Sequence, residues 1–207
     1  SYLWSNGATT QSIVVTATGN FDVTVTNASG CSSAKSPAVA VTVNPNPATP
    51  AISASGPTTF CQGGSVTLTA PASASYLWSN GATTQSIVVT ATGNYSVVVR
   101  NAAGCSSAAS AAQSVTVNPA TAITAQPQSA TIPKNTSTTL SVTATGTGTL
   151  SYQWYRGTSG NTSTPIANAT GSTVNTGKLT RGTYTYWVRV TGACGVVNSN
   201  TATINAQ

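Results

Sequence analysis

Apolar and polar residues alternate nearly one for one along most of this chain. The runs "SVTLTA" (65–70), "SYLWS" (75–79), "QSIVVTA" (85–91), "NYSVVVR" (94–100) and "QSVTVN" (113–118) set Val, Ile, Leu or an aromatic between Thr, Ser and Asn. A period of two is that of a strand with one face buried and one wet. The runs are rich in β-branched and aromatic residues, and Asn-Gly, Thr-Gly and Ala-Gly turn signals separate them. No stretch carries the 3.6-residue period of a helix. The pattern predicts an all-β protein.

A longer period lies over the short one. "SYLWSNGATTQSIVVTATGN" fills positions 1–20 and returns unchanged at 75–94, an offset of 74 residues. The offset continues beyond the identical part. Phe21 answers Tyr95, Asn27 answers Asn101, "GCSSA" at 30–34 answers 104–108, and "VTVNP" at 41–45 answers 115–119. A period of 74 is too long for a solenoid turn and suits a small autonomous domain. The Pro-rich links "NPNPATPA" (44–51) and "NPATAITAQP" (118–127) read as short, stiff joints. From about residue 121 the letters change but the grammar persists, as "TTLSVTAT", "LSYQWYRG", "GTYTYWVRVTGACG" and "NTATINA". Gly182 and Cys194 stand twelve residues apart, as do Gly93 and Cys105, and Gly19 and Cys31. The expected organisation is three β-sandwich units end to end: 1–46, lacking its first strands; 47–120, complete; and 121–207, divergent.

The chemical inventory narrows the function sharply. There is no His, Met or Glu, and Asp22 is the single acid. General acid–base catalysis and activated nucleophiles need such groups in pairs, and metal sites need carboxylates or Cys/His clusters. The reading is therefore not an enzyme, with no catalytic residue, metal or cofactor. The net charge of +6 comes from seven scattered cations, five of them in the third unit, 121–207. They are not clustered among stacking aromatics, which argues against nucleic acid. Charged residues make up 4% of the chain, against about 25% in ordinary domains. Such a surface lacks the repulsion that keeps soluble proteins apart and suits packing against copies of itself. No run of apolar residues is long enough for a membrane span. Asn27, Asn94, Asn135, Asn161 and Asn168 open Asn-x-Ser/Thr sequences, which a chain this rich in Ser and Thr produces by chance.

A Trp in "YLWSNG" or "YQWYRG" followed by a "G-x-Y-x-V" strand resembles immunoglobulin-like and PKD-like sandwich domains. More narrowly, "FCQGGSVTLTA…YLWSNGATTQSIVVTATGNYSVVV…GCSS" is similar to tandem repeats of large secreted surface proteins of Bacteroidota, adhesin and gliding-type proteins exported by the type IX system. The resemblance spans essentially the whole chain. It implies an extracellular, cell-surface setting and a stalk, fibre or adhesive role. Partners would be copies of the chain or further repeats, and a glycan or protein ligand if loops of the third unit are adhesive. It also implies core positions for Trp4, Trp78, Trp154, Phe21, Tyr95 and Tyr184. Tyr95 and Tyr184 would take the tyrosine-corner place, where Phe21 has no hydroxyl to offer.

The family pattern further pairs Cys61 with Cys105, the alternative being two buried free thiols. Cys31 matches Cys105, but its expected partner falls before Ser1. The missing strands of the first unit then come either from upstream sequence or from another copy. Cys194 is expected to be unpaired within the chain, since Asn135 stands where a partner would be. It is either a free thiol or a link to a neighbouring chain.

Overall fold

The computed structural model describes residues 1–207 and is built of strands and turns. No helix is long and apolar enough to cross a membrane. The first repeat contributes β1 (Tyr2–Trp4), β2 (Gly19–Phe21), β3 (Val23–Val25) and β4 (Val39–Val41). The second contributes β5 (Ser53–Ala54), β6 (Thr59–Cys61), β7 (Val66–Thr69), β8 (Ser75–Trp78), β9 (Ser86–Val89), β10 (Gly93–Tyr95), β11 (Val97–Arg100) and β12 (Gln113–Asn118). The remainder forms β13 (Ala122–Ala125), β14 (Ala130–Ile132), β15 (Thr139–Ser141), β16 (Thr143–Thr145), β17 (Ser151–Arg156), β18 (Thr173–Asn175), β19 (Gly182–Gly192), β20 (Gly195–Asn198) and β21 (Ala202–Ala206). The protein is all-β.

The strands gather into two compact units. One holds Ser1–Ala51, Pro71–Gln85 and Val97–Ser110; the other holds Ile52–Ala70, Ser86–Ser96 and Ala111–Gln207. The second repeat thus gives strands to both.

In the first unit, β1 pairs antiparallel with β3, and β8 with β11, in one shared register: Trp4 faces Val23 as Trp78 faces Val97. A serine clip closes each pair. Val23 N–H donates to Ser36 Oγ (3.1 Å) while Ser36 N–H donates back to the Val23 carbonyl (3.0 Å). Val97 and Ser110 do the same at 3.0 and 2.9 Å. The hydroxyl stands in for a ladder carbonyl, so no buried amide is orphaned where the returning chain is irregular.

In the second unit, β5, β7 and β9 form an antiparallel sheet. Val66 lies opposite Val89 and Leu68 opposite Ile87, and all four are buried. β12 runs antiparallel to β10 and parallel to β6, with Asn118 level with Cys61. The C-terminal region is a sandwich. One layer is β14-β21-β19-β17 with β20 beside β19; facing it are the short pairs β15–β18 and β13–β16. Leu140, Trp154, Val174, Tyr186, Val188, Val190 and Ile204 fill the space between. The serine clip recurs here: Val188 N–H donates to Ser199 Oγ at 2.9 Å, and Ser199 is buried.

The identical twenty residues do not fold identically. Ser86–Val89 is a strand because β7 lies beside it; Ser12–Val15, the same letters, forms none. Likewise β12 runs on through Thr116–Asn118 against β6, whereas β4 stops at Val41. Neither sequence carries enough intrinsic β preference to hold the strand without its ladder partner.

Candidate functional site

Three places carry unusual chemistry or geometry. The first is the outer face of the C-terminal sheet. Alternation along β19 sends Tyr184, Tyr186, Val188 and Val190 into the sandwich and Thr185, Trp187 and Arg189 out. Trp187 is nonetheless 0% exposed, and Tyr155, opposite it in register, is buried too. Their rings stack at 4.5 Å and 12°. The guanidinium of Arg189 lies 5.6 Å from the Trp187 ring, and its Nε donates to Asn198 Oδ1 at 3.1 Å.

What covers this face is the loop after β17. Trp187 Nε1 donates to the Asn161 carbonyl (3.2 Å), Ser159 N–H to Thr201 Oγ1 (2.8 Å), and Arg156 N–H to the Thr164 carbonyl (3.0 Å). Pinning leaves a shallow hollow of about 470 Å³ lined by Arg156 and Ser163–Ala167. The phase of "YWVRV" places Trp187 opposite in orientation to Tyr186, the signal by which sequence reading could have found this second small core. Burial removes both rings as platforms for a sugar.

The second place is in the first repeat. Trp4, Ile13, Val15, Phe21, Val23 and Val41 line an open apolar groove of about 420 Å³. Their counterparts at the 74-residue offset include Trp78, Ile87, Val89, Val97 and Val115, all buried. Trp4 and Phe21, expected in the core, are half-buried, whereas Trp78 and Trp154 are buried and Tyr95 and Tyr184 half-buried. The indole N–H groups are satisfied alike: Trp4 donates to the Thr10 carbonyl, Trp78 to Thr84 and Trp154 to Gly171, at 2.8, 2.8 and 3.0 Å. Tyr95 Oη donates to the Ala91 carbonyl (3.1 Å) and Tyr184 Oη to Thr180 (3.2 Å), bonds that Phe21 lacks. Each ring lies across its own Gly-x-Tyr glycine. A Cβ on Gly93 would stand 3.3 Å from the Tyr95 ring.

The third place corrects the expected cysteine pairing. Cys61 is bonded not to Cys105 but to Cys194, with Cα atoms 5.5 Å apart and a sequence separation of 133. Cys194 is therefore not unpaired, while Cys31 and Cys105 are free. The reason lies in the register. β6 runs parallel to β12, so Cys61 ends level with Asn118, where the chain leaves the repeat. There the Cys194 carbonyl, in the β19–β20 turn, accepts from Thr121 N–H at 3.3 Å. The family pattern supposes a bond within one sandwich; here it reaches forward into the next sequence region. Asn135 takes a left-handed turn conformation, φ 61°, and donates its N–H to the Leu179 carbonyl.

No curated protein matches the chain. The three N-terminal domains of the bacteriophage RB49 outer capsid protein Hoc are similar at 17% identity and a TM-score of 0.47, over 100% of this chain and 88% of that one. DIP-gamma Ig1–Ig2 is similar at 12% identity and 0.49, over 72% and 92%. The titin I-band fragment I67–I69 is similar at 13% and 0.46, over 92% and 75%. The family model described as a domain of unknown function, DUF8696, matches residues 121–207.

Proposed function

We propose that this chain is a load-bearing structural segment of an extracellular bacterial surface fibre, filament or adhesin stalk. Its three successive immunoglobulin-like units, 1–46, 47–120 and 121–207, would extend reach and associate with copies of themselves. The observation that carries this reading is the Cys61–Cys194 bond, which fastens the second repeat to the region that follows it. A bond in that position adds nothing to catalysis and directly resists separation of the second repeat from the following region under tension. It also needs an oxidising compartment to form and persist, in keeping with secretion. The charge-poor surface favours lateral packing. Immunogold labelling of unpermeabilised source cells with antibody against residues 121–207 tests it. Label along extended surface structures is expected; label seen only after permeabilisation overturns the reading.

A second reading is an adhesive module that recognises glycan or protein through the loop after β17. The hollow at Arg156 and Ser163–Ala167, rigidly framed by the Trp187–Asn161 bond, favours it. Glycan-array binding abolished by replacing residues 158–165 would select it over the stalk.

A further inference from the structure

The corrected disulfide, the apolar groove and the repeat offset converge on a single free thiol. Cys194 and Cys105 occupy the same place in their units, twelve residues after Gly182 and Gly93. Cys194 bonds Cys61, the residue level with Asn118 in the parallel β6–β12 pair. Moving back by one period, Asn118 becomes Asn44. The Cys105 thiol donates to the Asn44 carbonyl at 3.5 Å, and Asn101 Nδ2 donates to the Pro45 carbonyl at 2.9 Å. Cys105 thus sits at the end of the first repeat as Cys194 sits at the end of the second. What is lacking is a cysteine on a strand beside Thr42–Asn44.

We propose that Cys105 is the anchor of an inter-repeat disulfide, bonding the cysteine of a Thr-Phe-Cys strand that pairs parallel with Thr42–Asn44 and covers the apolar groove of the first repeat. The bond rests on repeat arithmetic and geometry, not on the surface role. Two further observations point to the same occupant. β4 ends at Val41, where its counterpart β12 continues through the residues that β6 holds. Ser12–Val15 also lacks the ladder that β7 gives Ser86–Val89, and β7 follows β6 directly in the chain. One segment with the sequence of Thr58–Ala70 supplies both missing partners. The donor is polypeptide outside these 207 residues. A second folded copy cannot supply it, since its own Thr59–Cys61 strand is paired with β12 and its Cys61 is bonded to Cys194.

The chemistry is thiol–disulfide exchange. Two thiols lose two electrons and two protons to form the bond, while a disulfide oxidant, small-molecule or protein, is reduced to two thiols. The full chain, with Cys61–Cys194 intact, is mixed with a peptide of residues Thr58–Ala70 whose cysteine carries glutathione in disulfide linkage. The Cys105 thiolate attacks the peptide sulfur, and glutathione leaves, taking up the proton Cys105 lost. A shuffled peptide with the same single cysteine is the control.

Peptide mapping should place the native peptide on Cys105 at least about tenfold more than the shuffled one, through the raised effective concentration of a docked strand. Thr42 and Ile13–Val15 amides should become protected from exchange. Val41→Asp should return capture to the shuffled level while leaving the thiol in place. Equal capture of both peptides overturns the proposal, as do equal labelling at Cys31, an inert Cys105, or a Cys105–Cys105 dimer in place of the adduct.

Discussion

Ile13 and Ile87 hold the same place in the same twenty-residue stretch, yet only Ile87 lies in a strand, opposite Leu68 and 6% exposed. Local sequence is held constant here and the ladder partner is varied. Hydrogen exchange should therefore show protected amides across Ser86–Val89 and fast exchange across Ser12–Val15. Leu68→Ala, at a fully buried position, should lower stability by about 3 kcal/mol and open Ser86–Val89 as well. Leu3→Ala, at a mostly exposed position, should change stability by less than about 0.5 kcal/mol.

Removing the Cys61–Cys194 bond by paired Cys→Ser substitution should cost about 2–5 kcal/mol in chemical denaturation. In single-molecule pulling the bond hides the 133 residues of sequence separation from extension. Adding reductant should release about 450 Å of contour length. An unchanged unfolding length would remove the mechanical role.

Tyr186 gives a pH response on the alkaline side. Burial in the sandwich core pushes its hydroxyl above the usual tyrosine range, partly offset by the Arg156 guanidinium. A folded-state pKa above the unfolded one means that the native chain holds the proton more tightly. The stabilising contribution is complete below the ordinary tyrosine value and is lost as pH rises past it. Tyr186 Oη is also buried without a hydrogen-bond partner. Tyr186→Phe should thus be neutral or stabilising at pH 7 and should flatten the fall in stability above about pH 10.

Gly192 is packed so closely that a Cβ there would lie 2.5 Å from Thr121 Oγ1 and 2.8 Å from Leu150 Cδ2. Gly192→Ala should cost about 1–3 kcal/mol. Combined with Thr121→Ala, which removes the nearest atom, it should cost measurably less than the sum of the two single changes. That coupling is read from a double-mutant cycle.

Trp187→Ala removes the stack on Tyr155 and the bond to Asn161 together. A loss of about 3–5 kcal/mol is expected, with new protease cleavage within residues 157–165. Cleavage there without loss of global stability would show that the loop is pinned independently of the sandwich.

The strand runs were readable because alternation reports directly on one-sided burial, and β7, β8, β9 and β12 fall where the letters alternate. "NYSVVVR" read as one run, but it divides at Ser96 into β10 and β11, which join different sheets. The cysteine pairing was not readable, because spacing fixes which residues end a strand and not which neighbour that end meets. The serine clips were hidden in plain composition. Ser36, Ser110 and Ser199 look like any other serine until a strand amide needs an acceptor. Trp187 was missed for a related reason: the phase of β19 turns it away from the sandwich core, and only the path of the following loop shows that it is covered.

The duplicated stretch also bears on how the chain reaches its native form. As β7 emerges during synthesis, the earlier copy of its partner, Ser12–Val15, is already available, while Ser86–Val89 has not yet been made. The later copy closes a shorter loop and wins at equilibrium, but the earlier one has a head start. Refolding should therefore show a minor slow population in which β7 is mispaired, and Ile13→Asp should abolish it without touching the native sheet.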